Sequence, residues 1–276
     1  MSSEHAPTPR VLVVGASSGI GKAIAQRFVR AGASVVFSAR RRERLEAAIA
    51  EAGGGTAVCA DVRSPSGPAE AVRGALDVLG ALDVVVYATG VSPLQRLADA
   101  TQDAWAQVLE TNLVGLHEVI RAAMGHLAPA AVVGVLSSDS VGTPRPGLVP
   151  YAASKAALEE LLRGWRTEHP EIRFSCITVG PTFPTEFGVH FDEALMTELF
   201  ADWSRLGMVH ASLMDVNELA DVVVTTLEQL LRHPGIGMEH IVLRPASAIV
   251  DTIDHMEEAR ALTLAKAAEA SEAAGG

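Results

Sequence analysis

At 276 residues, 49% of them hydrophobic and only 4% aromatic, the chain has the length and composition of one large α/β core. Its formal net charge of −11 leaves no basic face for a nucleic-acid backbone or an anionic membrane, so neither is expected as a partner. No apolar stretch reaches the ~20 residues that span a bilayer, and no apolar core of signal-peptide length follows a charged start, which points to a cytoplasmic protein.

Residues 1–9 are polar and proline-bearing and read as a disordered tail ahead of one domain over 10–256. The first β-branched run, 11–14, leads into Gly15-Ala16-Ser17-Ser18-Gly19-Ile20-Gly21 and directly into a helix over 20–31. Glycines permit a tight turn and a close backbone approach, and the unpaired amides of a helix start attract a pyrophosphate. Gly15, Ser17, Ser18, Gly19, Ile20 and Gly21 are therefore candidate dinucleotide contacts. A glycine-rich turn alone is a weak signal; its place between strand and helix is what gives it meaning. A second strand over 34–38 runs into Ala39 and Arg40. An acid here would hold ribose hydroxyls, whereas an arginine accommodates a 2′-phosphate, so Arg40 favours NADP(H) over NAD(H). A helix over 42–51 and a strand over 56–60 follow, and Asp61 and Val62 then stand where an adenine would lie.

Beyond a helix over 68–79 and a strand over 83–86, a long amphipathic helix is expected over 104–127, with His117 as a satisfied core or interface side chain. A strand over 131–136 ends in Ser137 and Ser138, whose hydroxyls strand alternation turns to opposite sides. The next helix, 151–168, opens with Tyr151-Ala152-Ala153-Ser154-Lys155. Side chains at i and i+4 share a helix face, and an ammonium near a phenol stabilises the phenolate and lowers its pKa. Tyr151 is thus a candidate proton shuttle and Lys155 its tuner. A strand over 173–177, a helix over 216–232 with a capping box at Asp215 and Glu218, and a strand over 240–243 complete the alternation. An Ala/Glu-rich tail occupies 257–276.

Alternating buried strands and helices imply a doubly wound parallel sheet of about seven strands with helices on both faces. Two irregular segments, 139–149 and 181–214, follow strands, where open α/β sheets bind ligands. In the second, Phe183, Phe187, Phe191, Leu195, Leu199 and Trp203 form a stripe that either packs as core or lines an apolar pocket, with Glu186 and His190 as polar contacts or lid surface. Cys59 and Cys176 read as buried small hydrophobes in a reducing compartment. The nine histidines show no metal-ligand spacing, so no metal is expected.

Together these motifs resemble the classical short-chain dehydrogenase/reductase family over residues 10–244: the glycine spacing, Tyr-x-x-x-Lys with a serine ahead of it, Thr111-Asn112-Leu113-Val114-Gly115, and Leu243-Arg244-Pro245. The resemblance implies a single-domain Rossmann fold and an NADP(H)-dependent oxidoreductase that interconverts a carbonyl compound and an alcohol. It implies Tyr151 as general acid/base, Lys155 as the residue that binds the nicotinamide ribose, and Ser138 as the substrate-oxygen partner. Asn112 would hold a helix distortion and a water that links Lys155 to solvent. It also implies a homodimer or homotetramer built through the long helices. Two segments depart from the family pattern. Tyr87-Ala88-Thr89-Gly90 replaces Asn-Asn-Ala-Gly, leaving Ala88 and Gly90 as cofactor contacts, and Val179-Gly180 replaces Pro-Gly. Gly180 is retained as a contact, and Thr182 and Thr185 are rivals for the carboxamide and the pyrophosphate. A dinucleotide sensor without turnover, supported by the altered 87–90 segment, and a sugar-nucleotide epimerase are the alternative readings.

Overall fold

The computed structural model describes residues 8–250. The tails expected at 1–9 and 257–276 lie outside the described residues, apart from residues 8 and 9. In chain order the elements begin β1 (Arg10–Val14), α1 (Gly19–Arg30), β2 (Ser34–Ala39), α2 (Arg42–Ala52), β3 (Thr56–Cys59), α3 (Gly67–Leu79) and β4 (Leu82–Tyr87). After β4 come α4 (Gln102–Leu109), α5 (Gly115–Ala123), β5 (Leu127–Ser138), α6 (Val149–Glu168), β6 (Arg173–Val179) and the two-residue β7 (Thr182–Phe183). The chain then forms α7 (Glu193–Arg205), β8 (Val209–His210), β9 (Met214–Asp215), α8 (Val216–Arg232), β10 (His240–Leu243) and β11 (Ile249–Val250).

Seven strands form one parallel sheet in the order β10-β6-β5-β4-β1-β2-β3. The order reverses between β1 and β4, and this switch point opens the crevice in which such sheets bind ligands. Strand alternation sorts the core. Val11 and Val13 of β1 pack with α1, α2 and α8 on one face, while Leu12 and Val14 pack with α3, α5 and α6 on the other. Both faces of the sheet are thereby dry, which is why the strands read as continuous apolar runs.

Local chemistry sets several helix ends. Thr101 accepts from the Ala104 amide at 3.2 Å, and Asp192 accepts from the Leu195 amide at 2.8 Å. Asp215 accepts from the Asn217 and Glu218 amides at 2.7 and 3.1 Å. Gly53 ends α2 with φ 78°, a left-handed conformation that costs glycine little.

Three sequence expectations are corrected. The single helix over 104–127 is instead α4, a π-helical turn over Glu110–Val114, α5 and a short 3₁₀ turn over Met124–His126. The turn, Glu-Thr-Asn-Leu-Val, contains no glycine or proline, so no breaker residue within it marks the interruption. β5 starts earlier than expected, because Leu127 pairs with Leu82 across a register irregularity. Cys59 is exposed, since β3 is the sheet edge, whereas Cys176 is buried as expected.

Candidate active site

A cleft of about 890 Å³ lies over the carboxyl ends of the strands. Its floor is the turn from β1 to α1. Gly15 has φ 94°, its amide donates to the Ser38 carbonyl at 2.8 Å, and a Cβ there would lie 2.8 Å from the Thr89 amide nitrogen. A Cβ on Gly21 would overlap the Gly15 carbonyl oxygen. Backbone therefore passes where any side chain would block it. Among the described residues the Ser18 side chain makes no capping bond, so the first amides of α1 remain open to an anionic ligand. Ser17, Ser18, Gly19 and Ile20 all face the cleft.

Arg40 lines the cleft as expected, but the sequence did not single out Arg41. Its guanidinium donates to Ser17 Oγ at 3.2 Å, to Ser18 Oγ at 3.1 Å and to Glu186 Oε2 at 2.9 Å. Arg44 pairs with the same Glu186 carboxylate, so this acid bridges the lid to the β2 end. Asp61 and Val62 line the adjoining wall. Asp61 is gripped by Arg63 at 2.9 Å, and that contact holds its carboxyl below the usual range.

Ala88, Gly90, Gly180, Thr182 and Thr185 line the far wall. The two threonines divide: Thr182 Oγ1 donates to the Gly180 carbonyl at 2.9 Å, while Thr185 stands over Gly19, 3.6 Å from where its Cβ would be. Tyr87 points into the core and donates to the Thr111 carbonyl at 2.5 Å. A Cβ on Gly115 would come within 2.9 Å of that hydroxyl, so the glycine makes room for the tyrosine.

The π-helical turn places Asn112 on the segment after β4. Its Nδ2 donates to the Val91 carbonyl at 3.0 Å and to Ser154 Oγ at 2.9 Å, and its Oδ1 accepts from the Val91 amide at 2.8 Å. Asn112 thus clasps this segment to α6. Ser138, Tyr151 and Lys155 reach the same end of the cleft. As strand alternation predicts, Ser137 turns away from Ser138's direction and donates to Glu159 Oε1 at 2.6 Å.

The expected depression of the Tyr151 pKa is corrected. Burial pushes the phenol up to about 12, with the neighbouring Ser138 hydroxyl acting in the opposite direction. Burial also brings the Lys155 amine down to about 8. The amine donates to the Leu136 carbonyl at 2.7 Å and lies 5.8 Å from the centre of the Tyr151 ring. Desolvation is the largest cause of both shifts, because each charge would stand in a dry site.

Beside Ser138, Asp139 and Arg145 form a shielded bidentate ion pair at 2.9 Å in both arms, and Arg145 also reaches the Met208 carbonyl at 3.4 Å. Sequence reasoning missed this pair. The only signal was an acid and a base within one irregular segment. The lid's apolar stripe serves both ends: Leu199 packs with Leu94 and Leu148 in a small core of its own, Trp203 and Phe191 belong to that core and also border the cleft, and Phe187 faces the cleft. The Phe187 ring lies 5.3 Å from that of Tyr151. His190 lines the cleft rim.

The short chain dehydrogenase family profile matches residues 9–194. The chain belongs to the short-chain dehydrogenase/reductase family. It is 31% identical to the short-chain dehydrogenase/reductase FrzI of Cladobotryum sp. over 201 residues, covering 70% of this chain and 77% of FrzI. It is 34% identical to a putative ketoacyl reductase of granaticin polyketide synthase from Streptomyces violaceoruber, over 65% of this chain and 75% of that one. A short chain dehydrogenase from Burkholderia cenocepacia, solved in complex with NADP, superposes with a TM-score of 0.74 at 27% identity, covering 86% and 96% of the two chains. The chain is thus a short-chain dehydrogenase/reductase with an NAD(P)-binding Rossmann fold. Among the described residues no helix is long and apolar enough to cross a membrane.

Proposed function

We propose that this short-chain dehydrogenase/reductase interconverts a ketone or aldehyde and an alcohol, prefers NADP(H) over NAD(H), and takes an apolar or aromatic substrate. The convergence of Ser138, Tyr151 and Lys155 at one end of a dinucleotide-sized cleft carries the reading.

The glycine floor fits a pyrophosphate, because it offers open amides and no Cβ at Gly15, Gly19 or Gly21. Arg40 and Arg41 would take a 2′-phosphate, and Asp61 and Val62 the adenine. Thr185, over Gly19, suits the pyrophosphate, and Thr182, beside Gly180, suits the carboxamide. Ala88 and Gly90 would line the nicotinamide end. When bound, the reduced dinucleotide supplies the hydride.

Tyr151 gives its phenolic proton to the carbonyl oxygen of the substrate, and Ser138 donates a hydrogen bond to the same atom. Lys155 supplies positive charge and ribose contacts. Asn112 holds the turn that keeps the post-β4 segment against α6. The apolar preference rests on Phe187 and Phe191 beside Tyr151. The altered 87–90 segment does not favour a sensor, because Tyr87 is a core residue. A homodimer or homotetramer would cover the apolar groove of Leu113, Val114, His117, Ala157 and Leu161, in which Val114 is 50% exposed.

Calorimetric titration with NADPH and NADH, followed by nicotinamide absorbance across a panel of apolar ketones, tests the reading. Tighter NADPH binding with cofactor consumption is expected. Binding of neither dinucleotide would overturn it. Arg40→Ala should weaken NADPH more than NADH, and equal losses would remove the cofactor preference.

A further inference from the structure

On the face of the sheet covered by α6, a second cluster of chemical groups lies at the sheet edge. The Glu159 carboxylate, the Cys176 thiol and the His240 imidazole each present a donor atom, and the three atoms lie within 4.8 Å of one another. Cys176 and His240 are register partners on the adjacent parallel strands β6 and β10, which is how residues so far apart in sequence come to stand together. Glu159 reaches them from α6. Cys176 is buried, Glu159 half-buried and His240 exposed, so the cluster has a dry wall and an opening to solvent. Its polar groups are already oriented. Ser137 Oγ donates to Glu159 Oε1 at 2.6 Å, and Thr178 Oγ1 lies 3.4 Å from the same oxygen and 2.7 Å from His240 Nε2.

We propose that Glu159, Cys176 and His240 form a binding site for a divalent transition ion of the Zn²⁺ class, with a solvent molecule as fourth ligand. Thiolate, imidazole and carboxylate are the donors such ions take, and three protein ligands with one open position is a recurring arrangement. Bond lengths of ~2.0–2.3 Å in a tetrahedron place the donors roughly 3.4 Å apart, and rotation of the Glu159 and His240 side chains closes the remaining distance. The thiol proton leaves to solvent on binding, because the thiolate is the ligand. Ser137 and Thr178 then act as the outer hydrogen-bonding partners that such sites use to hold their ligands. Sequence spacing gives no hint of the site because its ligands come from a helix and two strands. Glu159 and Cys176 also bear electrostatically on Lys155, so an ion here is coupled to the acid/base pair without touching it.

Titration of the full chain with Co²⁺ in metal-free buffer, without dinucleotide, tests the proposal independently of turnover. One equivalent should bind with a thiolate-to-cobalt charge-transfer band, and one equivalent of Zn²⁺ should displace it. Cys176→Ser should abolish the band. His240→Ala and Glu159→Gln should each weaken binding by about tenfold or more, while Cys59→Ser should leave the band intact. His240 is on the surface, so its variant keeps the test decisive even if Cys176→Ser does not fold. Absence of a thiolate band, loss of the band in Cys59→Ser, or unchanged affinity in His240→Ala would overturn the proposal.

Discussion

The glycine loop between β1 and α1 and the lid between β6 and α8 border the same cleft, but they are held in different ways. The loop is defined by backbone: its amides bond to the end of β2, and a Cβ at Gly15 or Gly21 would strike main-chain atoms. The lid is defined by side chains. Its helix α7 sets Leu199 and Trp203 against Leu94 and Leu148, a cluster separate from the two cores that flank the sheet. A wall made of backbone tolerates almost no change, whereas a wall made of side chains can be retuned one residue at a time. A fixed wall and an adjustable one fit the reading proposed above, in which a dinucleotide lies on the glycine loop and the substrate under the lid.

The hardest test of that contrast is Gly21→Val. It should remove dinucleotide binding and cost about 3 kcal/mol or more of stability, read by calorimetry and denaturant unfolding; a folded variant with intact affinity would show that the loop can yield. Tyr151→Phe belongs to neither wall. It should lower turnover by about 10²–10⁴-fold with dinucleotide affinity unchanged, and unaltered turnover would take Tyr151 out of the chemistry.

Leu199→Ala should cost about 2–4 kcal/mol, felt mainly within the lid. Faster hydrogen exchange in α7 and a raised KM are expected, with dinucleotide affinity shifted less than about twofold. Exchange that quickens equally on α1 would mean that the two walls are one cooperative unit.

Lys155 gives the pH test. Its amine falls from 10.5 to about 8 on folding, so between these values the unfolded chain holds more protons, and stability should rise with pH across that window. Lys155→Met should flatten this rise in denaturation curves measured at successive pH values. The same shift predicts reduction rates level below about pH 8 and declining above it as the ammonium is lost. Alcohol oxidation should increase with pH, because the raised phenol pKa keeps the phenolate scarce near neutrality. Phe187→Ala should have the smallest effect. The ring is 50% exposed, so a several-fold rise in KM for aromatic substrates is expected with other parameters nearly unchanged.

Much of the glycine wall of the cleft was legible from the chain alone, since a backbone constraint leaves glycine as almost the only solution, and glycine is visible in a sequence. Gly15, Gly19 and Gly21 carried that information, and Tyr151 with Lys155 carried the i, i+4 geometry. Less legible were the features set by packing. The π-helical turn at Glu110–Val114 was hidden inside an unbroken amphipathic pattern, and Arg41 reaches the serines of the glycine loop where Arg40 had been singled out. The Asp139–Arg145 pair joins two ordinary surface-type residues that burial converts into a buttress beside Ser138.

By itself the sequence determined the strand and helix alternation, the glycine turn between β1 and α1 and the one-turn spacing of Tyr151 and Lys155 on α6, because each depends on local spacing and on the chemistry of single residues. Only the tertiary structure decided which side chains of the lid face the cleft, that Tyr87 belongs to the core, that burial raises the Tyr151 phenol and lowers the Lys155 amine, and that Glu159, Cys176 and His240 meet at the sheet edge. Those outcomes depend on dielectric and on contacts between residues distant in sequence, and neither is encoded in the spacing of neighbours along the chain.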